Sequence, residues 1–223
     1  EMCIRDRRMT AEALSVGELK FVNLVAEVTA EASNVEVANA SAGFAGGRVS
    51  VENITLPDVG AFAIEIANID MGELAALGKV DGLIVTGTVS GKIPVRLSNG
   101  AAQIDQATLT AGGQGLIRYT PKTPGTLGTS AGGALALKAL ANFHYDSLTL
   151  AISGSTAAEM AANIALAGRN PDLYRGYPVA LNVNLTGRFA DILVNGFGAA
   201  RVPDAVLQQI RPAKPAPAKR KGP

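Results

Sequence analysis

The sequence predicts a mainly β fold: a curled antiparallel β-sheet forming a groove, interrupted by two or three short helices. Three observations predict it. Apolar residues recur in short bursts with a period of two, the signature of half-buried strands. Glycine is abundant, at 25 residues, while aromatics make up only 4% with no Trp, which suits a long repetitive sheet surface better than a compact aromatic core. Helical spacing, finally, appears only in pieces too short and too few to form a layer over a sheet.

Taken in order, residues 1–15 open with EMCIRDRRMT, which carries charge but no apolar run of the kind a signal peptide or anchor needs, so a non-native or disordered start is expected there. The β-groove domain is expected over residues 16–200. Within it Val35 and Val37 flank Glu36, and Val49 and Val51 flank Ser50, with Gly43, Gly46 and Gly47 between them as a turn. The same period runs through Phe62, Ile64 and Ile66. It continues in residues 83–88, where Leu83 and Val85 alternate with Ile84, Thr86 and Thr88, and in Ile93, Val95 and Leu97, followed by the hairpin signal Asn99-Gly100. Further strands are expected at 103–110, 115–120, 147–153, 162–167 and 179–186, about ten in all. Helices are expected at 71–80, with Leu74 and Leu77 at helical spacing, and at 134–144, with Leu137, Leu140, Ala141 and His144 on one stripe. A third, at 204–210, would follow Pro203. The closing RPAKPAPAKRKGP is rich in Pro, Ala and Lys and predicts a disordered basic tail, so residues 201–223 are expected to be a short helix and tail.

Charge and composition remove several function classes. Lys and Arg total 20 and Asp and Glu 19, but Arg211, Lys214, Lys219, Arg220 and Lys221 all lie beyond the last acid, so residues 1–210 hold 15 basic against 19 acidic side chains. That balance argues against nucleic acid as a partner. One cysteine, Cys3, and one histidine, His144, leave no disulfide framework, CxxC site or di-histidine metal site within the chain, and no metal or other cofactor is expected. The longest uncharged stretch, 123–137, is full of Gly, Ser, Thr and Pro, so no helix is expected to span a membrane.

The two faces of the strands carry the functional signal. In residues 179–186 one face holds Val179, Leu181, Val183 and Leu185, and the other Ala180, Asn182, Asn184 and Thr186. A sheet with one apolar face must cover it with a second sheet, with helices, by curling on itself, or with a ligand. An ordinary β-sandwich and a curled sheet whose apolar face holds lipid both remain open on this pattern.

Three segments carry a resemblance: Asn142-Phe-His-Tyr-Asp-Ser-Leu-Thr-Leu150, then Leu166-Ala-Gly-Arg-Asn-Pro-Asp-Leu-Tyr174, then Pro178-Val-Ala-Leu-Asn-Val-Asn-Leu185. Together with Gly87-Thr-Val-Ser-Gly-Lys-Ile-Pro-Val-Arg96 and Gly113-Gln-Gly-Leu-Ile-Arg-Tyr119, they resemble the C-terminal region of the YdbH family over roughly residues 20–195. The family-like motif residues are Phe143, His144, Tyr145 and Asp146, and Gly168, Arg169, Asn170, Pro171, Asp172, Leu173 and Tyr174. The resemblance implies an AsmA-like, TamB-like protein: a periplasmic β-groove of a Gram-negative bacterium, anchored at the inner membrane upstream of this chain, that carries phospholipid toward the outer membrane. It also implies a small outer-membrane lipoprotein as partner, docking by β-augmentation. The family's "dicarboxylate transport" domain label finds no support, because no confined Arg and Lys cluster lies among the strands to clamp two carboxylates.

The expected function is therefore a segment of an intermembrane lipid-transfer bridge that holds acyl chains on the apolar face and performs no chemistry. The lipid-contacting residues are expected to be Ile93, Val95, Leu97, Leu148, Leu150, Val179, Leu181, Val183 and Leu185. The last four also mark the strand expected to serve as the partner-docking edge. No catalytic residue is expected. His144, Tyr145 and Asp146 are adjacent and so alternate between strand faces, and no nucleophile motif lies in the chain; His144 is expected to cap or pack at a helix end. Gly112-Gly113-Gln114-Gly115 lacks the Gly-Lys-Ser/Thr of a phosphate loop and is expected to be a turn, as is the Arg169–Asp172 stretch. The alternative to a lipid bridge is a non-catalytic β-sandwich or β-solenoid module of the cell envelope, although no constant repeat length marks a solenoid.

Overall fold

The computed structural model describes residues 5–16, 19–31, 34–56, 60–78, 80–98, 101–122 and 131–187. Strands dominate them: β1 Arg5–Val16, β2 Leu19–Glu31, β3 Asn34–Phe44, β4 Gly47–Leu56, β5 Ala61–Asp70, β6 Leu83–Val85, β7 Thr88–Ser98, β8 Ala101–Ala111, β9 Gly115–Tyr119, β10 Phe143–Ser155, β11 Met160–Arg169 and β12 Pro178–Gly187. Helix α1 spans Met71–Gly78 and α2 spans Ala131–Leu140. All the strands join one antiparallel sheet in the order β1-β2-β3-β4-β5-β7-β8-β10-β11-β12, and its two end strands do not pair, so the sheet does not close into a barrel. The short strands β6 and β9 pair with each other, and β9 also pairs with the start of β10.

This is the mainly β, open and curled sheet that the period-2 pattern predicts. A sandwich would need a second sheet and a solenoid parallel coils; every described strand instead belongs to one antiparallel sheet. Arg5–Val16, expected as a disordered start, is strand β1, paired with β2 along its length from Arg5↔Ala30 to Val16↔Leu19. Its polar composition hid it, because a strand pairing through its backbone needs only scattered apolar contacts. The segment 83–88, expected as one strand, breaks at Thr86-Gly87 into β6 and β7. The helix expected at 134–144 ends at Leu140, because Phe143 and His144 pair with Ile117 and Leu116 of β9, and tertiary pairing overrides the apolar stripe. Residues 1–4 and 188–223, with the expected short helix and tail, lie outside the described residues.

Each turn is specified locally. Ala45 and Gly46 both take positive φ, 42° and 70°, as a two-residue hairpin between β3 and β4 requires. The Asp70 carboxylate accepts the Glu73 backbone N–H at 2.9 Å and so caps α1 where β5 ends. The Thr156 backbone N–H donates to the Ala102 carbonyl at 2.9 Å, folding the β10–β11 turn onto the start of β8.

The core lies toward one end of the strands. Ile69, Val89, Leu109, Leu148, Leu166 and Leu181 form one buried cluster with Met71 of α1, Ala139 of α2, Ile117 of β9, and Phe143 and Tyr145. Leu74 of α1 and Leu140 of α2 pack against it. The two helices and the β6–β9 ribbon thus cap one end of the sheet's apolar face.

Candidate functional site

The apolar face is built by cross-strand register. Ala42, Val49, Ile66, Gly91, Leu109, Leu150, Ile164 and Val183 are successive partners across β3, β4, β5, β7, β8, β10, β11 and β12. Within it Gly91 leaves room for Leu109, whose Cδ2 lies 2.8 Å from where a Cβ would stand. One residue along each strand the row reads Ser41, Ser50, Glu65, Lys92, Thr108, Ala151, Asn163 and Asn184. Because side chains alternate between faces, these two rows make one apolar and one polar surface. The polar surface carries the exposed ion pairs Lys92–Glu65 at 3.4 Å and Arg96–Asp105, and a hydrogen bond from the Asn163 amide to Asn184. Such exposed pairs contribute about 0–1 kcal/mol each, so the polar face keeps the sheet solvated more than it stabilises it.

Bulges hold the apolar set on one face along strands too long to stay in phase. Asn23, Asn39 and Asn68 sit in the left-handed region at φ 51°, 49° and 53° within β2, β3 and β5. Asparagine tolerates that conformation better than most residues. At Asn68 the register with β7 shifts between Ile66 and Ile69, so both isoleucines face the same way. In β10 the register with β11 shifts between Tyr145 and Ser147, which turns Phe143, Tyr145, Leu148 and Leu150 onto the apolar face. The spacing Phe-X-Tyr-X-X-Leu-X-Leu is the sequence trace of that bulge.

Tyr145 pins the capped end. Its side chain is 1% exposed, and its hydroxyl donates to the Thr86 carbonyl at 2.7 Å, at the break between β6 and β7. The companion break between β8 and β9 lies at Gly112–Gln114. The Thr86 hydroxyl accepts the Leu116 N–H at 3.0 Å, and the Thr86 N–H donates to the Leu116 carbonyl at 2.9 Å, so the two breaks are stitched together. A Cβ on Gly87 or Gly115 would occupy the place of the Tyr145 hydroxyl. Burial raises the Tyr145 pKa above the ordinary tyrosine value.

The nine residues expected to contact lipid lie on strands β7, β10 and β12, and eight of them, Leu185 aside, fall by alternation and register on the apolar face. They are not equally available. Val95, Leu148 and Leu181 are buried by protein, Ile93, Leu150, Val179 and Val183 are half-buried, and Leu97 is 42% exposed. Leu185 pairs with Ala162 through its backbone. The open surface is therefore the half-buried and exposed part of this face, Leu97 most of all. At the β1 edge the same face continues through Leu14, 45% exposed, whose neighbour Phe21 stacks on Phe44 at 5.0 Å.

The family-like motifs are brought together at the capped end. His144 and Tyr145 pair with Arg169 and Gly168, and the Asn142 amide donates to Asp172 at 2.7 Å. Asn170, the buried polar residue of the described set, donates its amide to the Lys138 and Ala139 carbonyls at 2.9 and 3.0 Å, closing the C-terminal end of α2 from a distant loop. Its carbonyl oxygen accepts the Asp172 N–H at 2.8 Å. His144 neither caps nor packs at a helix end: it is exposed on β10, on the face opposite Phe143 and Tyr145. Asp146 accepts from the Gln114 side chain at 2.7 Å, giving the Gly112–Gln114 turn a structural bond. Among the described residues no group of three or more His, Cys, Asp or Glu is placed to hold a metal ion. The bulge asparagines, the Tyr145 pin and the Asn170 cap were missed from sequence. Asparagines interrupting apolar alternation were the available signal.

An open antiparallel sheet with one continuous apolar face, capped at one end by two helices, defines the class: an open β-trough. The family comparison agrees. A family model described as "YdbH-like: Intermembrane phospholipid transport protein YdbH" matches residues 5–211, and the chain belongs to that family of intermembrane phospholipid transport proteins. No curated protein and no solved structure matches the chain.

Proposed function

We propose that this chain is a periplasmic segment of an intermembrane lipid-transfer bridge, in which phospholipid acyl chains lie along the strands on the apolar face and headgroups stay in water. The observation that carries this reading is the unbroken apolar row from Ala42 to Val183, eight strands wide, in a sheet that does not close on itself. Ten strands at about 4.8 Å spacing make a track of roughly 50 Å, and strands of 10–13 residues at ~3.3 Å per residue are long enough to hold an acyl chain lengthwise. Each methylene moved from water onto such a face gains about 0.8 kcal/mol wherever it lands, so a uniformly apolar row offers no deep well and lets a chain pass from strand to strand.

Nothing in this reading requires chemistry, and the chain acts as a non-catalytic conduit. Strand β12, the last of the described sheet, is the proposed docking edge for a small outer-membrane lipoprotein adding its own strand, and anchoring of the parent protein in the inner membrane belongs to the same reading. The test is lipid extraction and mass spectrometry of the chain purified from a bacterial periplasm. Phospholipid is expected to co-purify, and to fall at least tenfold when Ile164 and Val183 are both changed to Asp. Lipid-free wild-type protein, or a variant that retains its lipid, would overturn the proposal.

A further inference from the structure

Between β11 and β12 the chain makes a turn that is costly in itself and buries little. Tyr174, Arg175 and Gly176 take three successive positive φ values, 48°, 57° and 74°. For the two non-glycine residues this conformation is unfavourable and persists only where the surroundings over-determine the backbone. They do so here. The Asn170 carbonyl accepts the Leu173 N–H at 3.1 Å, the Leu173 carbonyl accepts the Gly176 N–H at 3.0 Å, the Tyr174 carbonyl accepts the Tyr177 N–H at 3.3 Å, and Asn170 itself is locked beneath α2.

The strain serves no packing. Tyr174 is 61% exposed and Tyr177 is 68% exposed, the two most exposed large apolar side chains among the described residues. Arg169 and Arg175 stand exposed on the same turn with no carboxylate among the described residues paired to either, and the nearby Asp172 is occupied by the Asn142 amide. The turn and its flanking strand end thus carry two exposed amphipathic rings and two exposed guanidinium groups.

We infer that this turn, residues 169–177, is a membrane-surface contact that seats Tyr174 and Tyr177 among phospholipid headgroups while Arg169 and Arg175 pair with phosphate. Tyrosine favours the water–bilayer boundary because its ring is apolar and its hydroxyl is not, and each basic residue near an anionic surface adds electrostatic attraction. A bilayer fits better than a protein partner. A stable protein interface takes roughly 20–30 residues a side, more than a nine-residue turn offers, whereas a boundary anchor needs only a few aromatic and cationic side chains. The inference does not depend on lipid in the trough.

The chain has no Trp, so a single Trp placed at 174 or 177 reports its own surroundings. Tyr177→Trp and, separately, Tyr174→Trp are mixed with vesicles of phosphatidylethanolamine and phosphatidylglycerol, some carrying brominated acyl chains. The expected result is blue-shifted emission and at least twofold quenching by the brominated lipid, with a control Trp at Thr108 on the polar face unquenched. Replacing Arg169 with Gln and Arg175 with Asn, which tolerates the left-handed backbone, is expected to weaken the quenching severalfold. Unquenched emission from both turn positions, or equal quenching at Thr108→Trp, would overturn the inference; emission shifted only on adding periplasmic protein would do the same and assign the turn to a protein partner. Circular dichroism of each variant separates loss of contact from loss of fold, and Tyr177→Trp, outside the left-handed segment, keeps the test decisive if Tyr174→Trp fails to fold.

Discussion

The Tyr145 hydroxyl meets the Thr86 carbonyl where two neighbouring strands break side by side, so one side chain holds the seam of the capped end. Changing Tyr145 to Phe keeps the ring and removes the bond, and is expected to cost about 1 kcal/mol, or roughly 2–4 °C in Tm by thermal melting. Burial also raises the pKa of Tyr145, and burial together with the Asp81 charge raises that of Tyr119. In the unfolded chain tyrosine ionises near pH 10. Below that pH both states are protonated and stability is intact; above it the unfolded chain loses protons first, so stability falls as pH rises toward the folded values. Tyr145→Phe is therefore expected to soften the loss of stability above about pH 10 in denaturant titrations, and an unchanged slope would deny Tyr145 its part. The motif around Tyr145 was legible from sequence as distinctive. Its role was not, because the partner carbonyl lies 59 residues away and only the fold brings it near.

Among the elements, alternation made most strands legible, since residues that must face one way on a half-buried sheet repeat every second position. What alternation could not show was where it slips. Asn68 occupies a left-handed bulge that brings Ile69, 2% exposed, onto the face already holding Ile66. Asn68→Gly is expected to leave stability nearly unchanged, whereas Asn68→Val is expected to lower it by about 1–2 kcal/mol in chemical denaturation, because a β-branched residue resists positive φ. Equal effects of the two would mean that the bulge does not depend on backbone freedom. Strand β1 escaped the sequence reading for a related reason: its pairing with β2 is carried by backbone hydrogen bonds, to which its charged side chains give no clue. The end of α2 was misplaced because His144 extends the stripe of Leu137, Leu140 and Ala141, and only its pairing with β9 and β11 makes it strand.

For the whole molecule, the open sheet and its amphipathic faces were legible because composition removed the helices that could have covered them, and the resemblance carried by residues 142–150 and 166–174 pointed to the family that the comparison shows. The uneven availability of the face was not legible. That Leu148 and Leu181 are buried while Ile93, Leu150 and Val183 are only half-buried depends on the cluster that α1, α2 and β9 complete over this face. That division is also where the lipid account is most exposed to test. The most direct measurement is photocrosslinking in living cells, with a photoreactive phenylalanine analogue placed at Ile93, Ile164 or Val183 on the apolar face and at Lys92, Asn163 or Asn182 on the polar face. The account predicts phospholipid adducts at the first three positions and none at the second three. Adducts distributed equally over both faces, or absent from the apolar face, would contradict it.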